Sequence, residues 1–143
     1  MIFSKICIAS DHAGYKLKEK IKDYLIKKNI PIIDLGPLTE TSVDYPDFAK
    51  KVAKRLVLKK SDAGILVCGS GTGMAITANK FKGIRAAQCY NKNSTILSRQ
   101  HNNANIICLG SRMMKDKEAF RYINYFFNVK FEGGRHQKRI NKI

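Results

Sequence analysis

The chain has 143 residues, 44% of them hydrophobic, with 27 Lys and Arg against 11 Asp and Glu for a formal charge of +16. That length reads as one domain, 1–143, with a core that needs no disulfide, and no apolar run approaches the roughly 20 residues that cross a bilayer, so no membrane partner is expected. The lysines are scattered over helix faces, as at Lys16, Lys18, Lys20 and Lys22, without a block of five like charges or a base-stacking motif; this argues against a nucleic-acid partner and leaves the charge to steer anionic substrates.

The start, Ile2-Phe3-Ser4-Lys5, lacks the basic and long apolar regions of a signal peptide. Residues 5–10 form a first apolar strand, and Asp11-His12-Ala13-Gly14 turns into a helix striped by Ala13, Leu17, Ile21, Tyr24 and Leu25. Residues 32–35 make a second strand, followed by a loop over 36–43. Pro46 then sits in the first turn of a helix whose inner stripe is Ala49, Val52, Ala53, Leu56 and Val57. The third strand is 63–68 and the helix after it 74–81, weakly polar on most sides, which suits a covered position such as a subunit interface. A fourth strand over 84–88, a polar helix over 91–102, a fifth strand over 105–109 and a helix striped by Ala119, Phe120, Ile123, Phe126 and Phe127 follow. The tail after Phe131 is basic and non-periodic.

Strands alternating with helices predict an α/β fold: three αβα layers around a five-stranded parallel sheet, in the Rossmann- or flavodoxin-like order 2-1-3-4-5. In such a sheet the site lies at the carboxyl ends of the strands where the winding reverses, here between strands one and three. Asp11, His12, Cys68, Gly69 and Ser70 fall at that point.

The stretch Ile65-Leu66-Val67-Cys68-Gly69-Ser70-Gly71-Thr72-Gly73 is the most informative. A buried strand runs into a glycine loop ahead of a helix, so backbone amides converge where an anion can be held. The dinucleotide pattern G-x-G-x-x-G fails, since Met74 and Ile76 stand where its third glycine belongs, and no Walker lysine follows. A plain tight turn is the competing reading. Cys7, Cys68, Cys89 and Cys108 form no C-x-x-C pair, which fits free thiols in a reducing cytoplasm. Only Cys68 stands at a strand end beside such donors, as a nucleophile or base would; a fourth buried thiol is the alternative. Of His12, His101 and His136, only His12 has an acid beside it in sequence, Asp11, so neither a metal nor a cofactor is expected. Arg135 and Arg139 share a face if the tail is helical and could clamp one phosphate; a solvated basic tail is the competing reading. A thiol, a histidine, an oxyanion cradle and a phosphate clamp together suit proton abstraction beside a carbonyl on a phosphorylated small molecule.

The segments Ser10-Asp11-His12-Ala13-Gly14, Asp44-Tyr45-Pro46, Cys68-Gly69-Ser70-Gly71-Thr72-Gly73, Ala78-Asn79-Lys80, Ser98-Arg99-Gln100-His101-Asn102, Gly110-Ser111-Arg112 and Glu132-Gly133-Gly134-Arg135-His136-Gln137-Lys138-Arg139 closely resemble the family of ribose-5-phosphate isomerase B, which also holds the galactose-6-phosphate isomerase subunits. The resemblance spans nearly the whole chain. It implies interconversion of ribose 5-phosphate and ribulose 5-phosphate through a cis-enediol, without a metal. By the same resemblance Cys68 is the base between C1 and C2, and His101 the acid that opens the furanose. Asp11 and His12 contact substrate, with Asp11 on the ring-opening side. Gly69, Ser70, Gly71, Thr72 and Gly73 form the anion hole, with Ser70 relaying a proton. Asn102 contacts the sugar, Tyr45 lines the site, and Arg112, Arg135 and Arg139 surround the phosphate.

Members of that family are dimers or tetramers whose sites are shared between subunits. In one branch a glutamate just after the glycine loop replaces the cysteine base; here that position is Met74. Cysteine, histidine and arginines stand in this one chain, which favours a homomer over the divided galactose-6-phosphate arrangement. A six-carbon sugar phosphate is the alternative substrate, and a non-catalytic phosphate-binding module the alternative role.

Overall fold

β1 (Ile6–Ser10) is buried at every position and lies inside a parallel sheet, flanked by β2 (Ile32–Asp34) and β3 (Ala63–Cys68). β4 (Ala86–Gln88) and β5 (Ile106–Gly110) complete the sheet in the order β2-β1-β3-β5-β4. The computed structural model describes residues 1–143.

The parallel α/β arrangement expected from the sequence is present, but the order 2-1-3-4-5 is corrected at one edge. β5, not β4, pairs with β3. The reason is burial. Ile106-Ile107-Cys108-Leu109-Gly110 is covered on both faces and needs a neighbour on each side, whereas the three residues of β4 are partly exposed. A short strand is the one a sheet can leave at its rim. Ala86 turns its free N–H and C=O away from β5, and the Asn79 carboxamide meets both, at 2.8 and 2.9 Å.

Because strand side chains alternate between faces, each buried strand feeds two cores. Ile6, Ile8, Ile65, Val67, Ile107 and Leu109 face α1 (Tyr15–Lys27) and α5 (Asp116–Asn128). Cys7, Ala9, Leu66, Cys68, Ile106 and Cys108 face α2 (Tyr45–Val57) and α3 (Thr72–Ala78). α4 (Lys92–Gln100), opened by a reciprocal Asn91–Ser94 capping box, packs on α5. α3 starts at Thr72 rather than 74, because Gly71 takes φ +83 at its N-cap, and it buries Met74 and Ala78 while leaving Ile76 exposed. The tail is not irregular: Gly133 and Gly134, at φ +68 and +53, turn the chain into α6 (Arg135–Ile140).

One charged group lies fully inside. Lys18 bonds Asp34 at 2.7 Å and also Glu19, and Lys22 reaches Asp34 at 2.6 Å. Asp34 in turn accepts the Gly36 N–H at 2.8 Å. A buried ammonium is tolerable only when paired. Here the pairing fastens α1 to the end of β2 and to the start of the 36–43 loop. Burial works to raise the Asp34 carboxyl, but bonds from Lys18, Lys22 and the Gly36 amide outweigh it and hold it below the ordinary carboxylate range. No helix is long and apolar enough to cross a membrane.

Candidate active site

β1 and β3 end side by side, with Ser10 opposite Val67, and the chain beyond each end folds toward the other. Asp11 donates its N–H to the Val67 carbonyl at 3.1 Å and accepts the Gly14 N–H on Oδ1 at 2.8 Å, which fixes the turn into α1. A Cβ on Gly14 would stand 2.3 Å from the Val67 carbonyl oxygen, so the two turns touch only because glycine is there. His12 Nδ1 sits between the Val43 carbonyl and N–H, at 3.2 and 3.3 Å, so the 36–43 loop orients that ring.

Between these turns opens a cavity of about 320 Å³. Asp11, His12, Tyr45 and Cys68 line it, together with Gly69, Ser70, Gly73 and Arg112. A slightly larger hollow, lined by Ser4, Lys5, Lys59 and Asp62, lies at the opposite ends of the strands. It holds no thiol or histidine and is on the wrong side of the sheet for a ligand site of this architecture.

The glycine loop is shaped around its neighbours. Arg112 lies across Gly69, where a Cβ would meet its guanidinium at 3.2 Å. The Tyr45 ring lies against Gly73, 2.7 Å from where a Cβ would be. Backbone bonds from Ser111 to Cys68 (2.8 Å) and from Arg112 to Gly69 (3.1 Å) tie the end of β5 to the loop. The Gly71 amide points at Cys68 Sγ, 3.1 Å away, and the Thr72 amide at Ser70 Oγ, 3.2 Å away. Gly71 and Thr72 therefore brace the loop from within. The amides of Gly69 and Ser70 donate to no protein group. With the Gly73 amide, which also donates to no protein group and lines the cavity, they are the donors left for an anion.

Position also separates the four thiols. Burial pushes Cys7 up to about 11, raises Cys89, and raises Cys108 well above the usual range. Cys68 alone stands at the cavity.

The other expected residues lie elsewhere in the chain. His101 caps the C-terminal end of α4, Asn102 follows it, and Arg135 and Arg139 are on α6. None of these four lines the Cys68 cavity. Arg99 is buried, donating to Val129 and Asn103 and lying over the rings of Phe3 and Phe126, so it anchors the end of α4 that carries His101. The structure adds residues that the sequence did not single out. The Gln88 carboxamide donates to Ser70 O and Thr72 Oγ1, both at 2.9 Å, and so buttresses the glycine loop from β4. Glu132 and His136 gather at His101, so the histidine does have an acid partner, brought to it by the fold.

Residues 6–143 match the Ribose/Galactose Isomerase family. The chain belongs to the ribose/galactose isomerase family. Among its relatives in that family is the probable ribose-5-phosphate isomerase B of Mycoplasma genitalium, 48% identical over 141 residues that cover 96% of this chain and 92% of that protein. Ribose-5-phosphate isomerase B of Escherichia coli is 40% identical over 139 residues, covering 97% and 93%. The crystal structure of a ribose 5-phosphate isomerase from Thermotoga maritima, 50% identical, superposes with a TM-score of 0.95 over 97% of this chain and 96% of that one. Ribose-5-phosphate isomerase B from Mycoplasma genitalium, solved with bound ribulose-5-phosphate, is 46% identical with a TM-score of 0.90, covering 96% and 92%. Family members of this kind thus share the whole architecture described above, from β1 to α6.

Proposed function

We propose that this chain interconverts D-ribose 5-phosphate and D-ribulose 5-phosphate, with residues 1–143 acting as one sugar-phosphate isomerase domain. The observation that carries the reading is the Cys68 thiol at a cavity mouth, beside the two unengaged amides of Gly69 and Ser70. The names of the relatives favour a five-carbon substrate over a six-carbon one.

The chemistry follows from that placement. The aldose must first open, and His101 supplies and removes the protons at the ring oxygen and anomeric hydroxyl, with Asp11 on the same side. Cys68 then takes the proton from C2. Negative charge gathers on the carbonyl oxygen at C1, where the Gly69 and Ser70 amides receive it; each such donor is worth about 3 kcal/mol in a dry site. Ser70 relays a proton between O1 and O2 of the cis-enediol. Cys68 returns its proton to C1, giving the ketose with no net change in oxidation state. Gly71, Thr72 and Gly73 hold the loop in shape, while His12, Tyr45 and Asn102 contact the sugar. Arg112, Arg135 and Arg139 bind the phosphate, and the +16 charge of the chain speeds the approach of a dianion.

His101, Asn102, Arg135 and Arg139 lie outside the cavity of their own chain, which supports a homodimer or tetramer in which a second copy delivers them. Exposed Ile76, Tyr90 and Leu97 offer apolar surface for that contact. The thiols fit a reducing, cytoplasmic setting.

Incubation with ribose 5-phosphate in deuterium oxide tests the reading. Ribulose 5-phosphate should form with deuterium bound at C1, and the remaining ribose 5-phosphate should acquire it at C2 by the reverse reaction, seen by NMR. Binding of the sugar phosphate without turnover or exchange would leave only a binding module.

A further inference from the structure

Outside the cavity, titratable side chains converge where α4 meets α6. The rings of His101 and His136 stack with centroids 4.1 Å apart and planes 6° from parallel. Glu132 Oε2 lies 3.7 Å from Nε2 of His136 and 3.9 Å from Nε2 of His101, so a single carboxylate serves both rings. The backbone holds it there. The Glu132 N–H donates to the carbonyl of Gln100, the residue before His101, at 3.0 Å, and the Gly133–Gly134 turn brings His136 back under the pair. His136 is buried, whereas the His101 side chain is 37% exposed and accessible to a ligand.

Two histidines and a glutamate are also the donors of many metal sites, but the arrangement is wrong for one. Parallel stacked rings send their lone pairs along parallel planes instead of toward a common point. Arg135 and Arg139 add positive charge beside His136. The trio suits a proton better than a metal cation.

The groups around the pair distinguish the two rings. Burial, then the charges of His101, Arg135 and Arg139, lower the pKa of His136, with Glu132 opposing them. On the α4 side, Arg85 donates to the carbonyls of Asn102 and Asn103, and Arg99 is turned inward to Val129 and Ala104. His101 is thus the ring that is open to solvent and free to meet a ligand.

We propose that Glu132 is a positioning residue for ring opening: with His136 stacked behind, it holds the exposed His101 ring in its working orientation. This rests on the assignment of His101 to ring opening given above. The design is general acid–base chemistry in which a carboxylate and a second ring hold the working imidazole in place.

The two substrates separate the steps. Ribose 5-phosphate is largely a furanose, while ribulose 5-phosphate has its C5 oxygen esterified and stays open-chain. In Glu132→Gln, turnover of ribose 5-phosphate should fall about tenfold at neutral pH, and its pH profile should move about one unit toward acid, the tenfold equivalent. Solvent-deuterium exchange into C1 of ribulose 5-phosphate, which needs no ring opening, should change less than twofold, and Glu132→Asp should restore much of the lost turnover. Loss of that exchange in step with turnover, or an unmoved profile, would overturn the proposal. His101→Asn serves as the reference: if it spares ribose 5-phosphate, the ring-opening assignment itself fails; if it does not and Glu132→Gln still leaves the profile unmoved, only the role of Glu132 fails.

Discussion

The Gly71 amide hydrogen is aimed at the sulfur of Cys68 across 3.1 Å, from the residue whose left-handed φ of +83 begins α3. The bend that starts the helix thus also orients the thiol. Removing the thiol takes away the proposed base and leaves the bend. Cys68→Ala should lower kcat by about 10²- to 10⁴-fold, the usual worth of a positioned base. KM and the unfolding midpoint should stay close to those of the unaltered protein. A variant with near-normal turnover would end the assignment of Cys68.

Selective alkylation follows from the placement of the thiols. Desolvation leaves Cys7, Cys89 and Cys108 as poor thiolates, and all three are in the core. Iodoacetamide on the native protein should add one carbamidomethyl group, at Cys68, and ribose 5-phosphate should slow the reaction. Peptide mass spectrometry reads both effects.

Gln88 supports the loop from β4 without entering the cavity. Gln88→Leu removes two donors to the Ser70–Thr72 segment and keeps the bulk. Looser amides at Gly69 and Ser70 should cost turnover about 5- to 20-fold, or about 1–2 kcal/mol of barrier, with KM nearly constant. A rise in KM alone would place Gln88 in substrate binding.

The Asp34–Lys18 pair ties stability to acid. Its native carboxyl titrates below the ordinary value near 3.9, so its contribution is whole above that pH. It is lost as pH falls through the lowered native pKa, because the unfolded chain binds the proton first. Asp34→Asn should remove this acid-side slope and destabilise the fold by about 2–3 kcal/mol. That is less than the roughly 3–5 kcal/mol for orphaning a buried charge, because Glu19 still holds Lys18. Urea unfolding from pH 7 down to pH 3 measures both.

The site half at Cys68 was readable because its signals are local. An apolar run, a cysteine and three glycines fall within nine residues, and the switch point of a parallel sheet brings Asp11 and His12 to them. The order of β4 and β5 was not readable in the same way. Both segments are short apolar runs, and what separates them, burial on both faces of β5, exists only once the helices have packed. The pairing of His101 with Glu132 and His136 was hidden for another reason. It depends on two consecutive glycines with positive φ turning a tail that shows no hydrophobic period. Gln88 looked like the polar end of a strand, and nothing in its neighbours points to Ser70, 18 residues earlier.

The Asn79 carboxamide occupies the N–H and C=O of Ala86 that an added strand would need. Growth of the sheet past β4 is therefore blocked by a side chain of the same subunit. In the proposed homomer, copies would meet through helix faces and loops, where His101 and α6 are displayed. The same amide that closes the sheet would reserve assembly for those surfaces, and it guards the rim against the strand-to-strand stacking that starts aggregation.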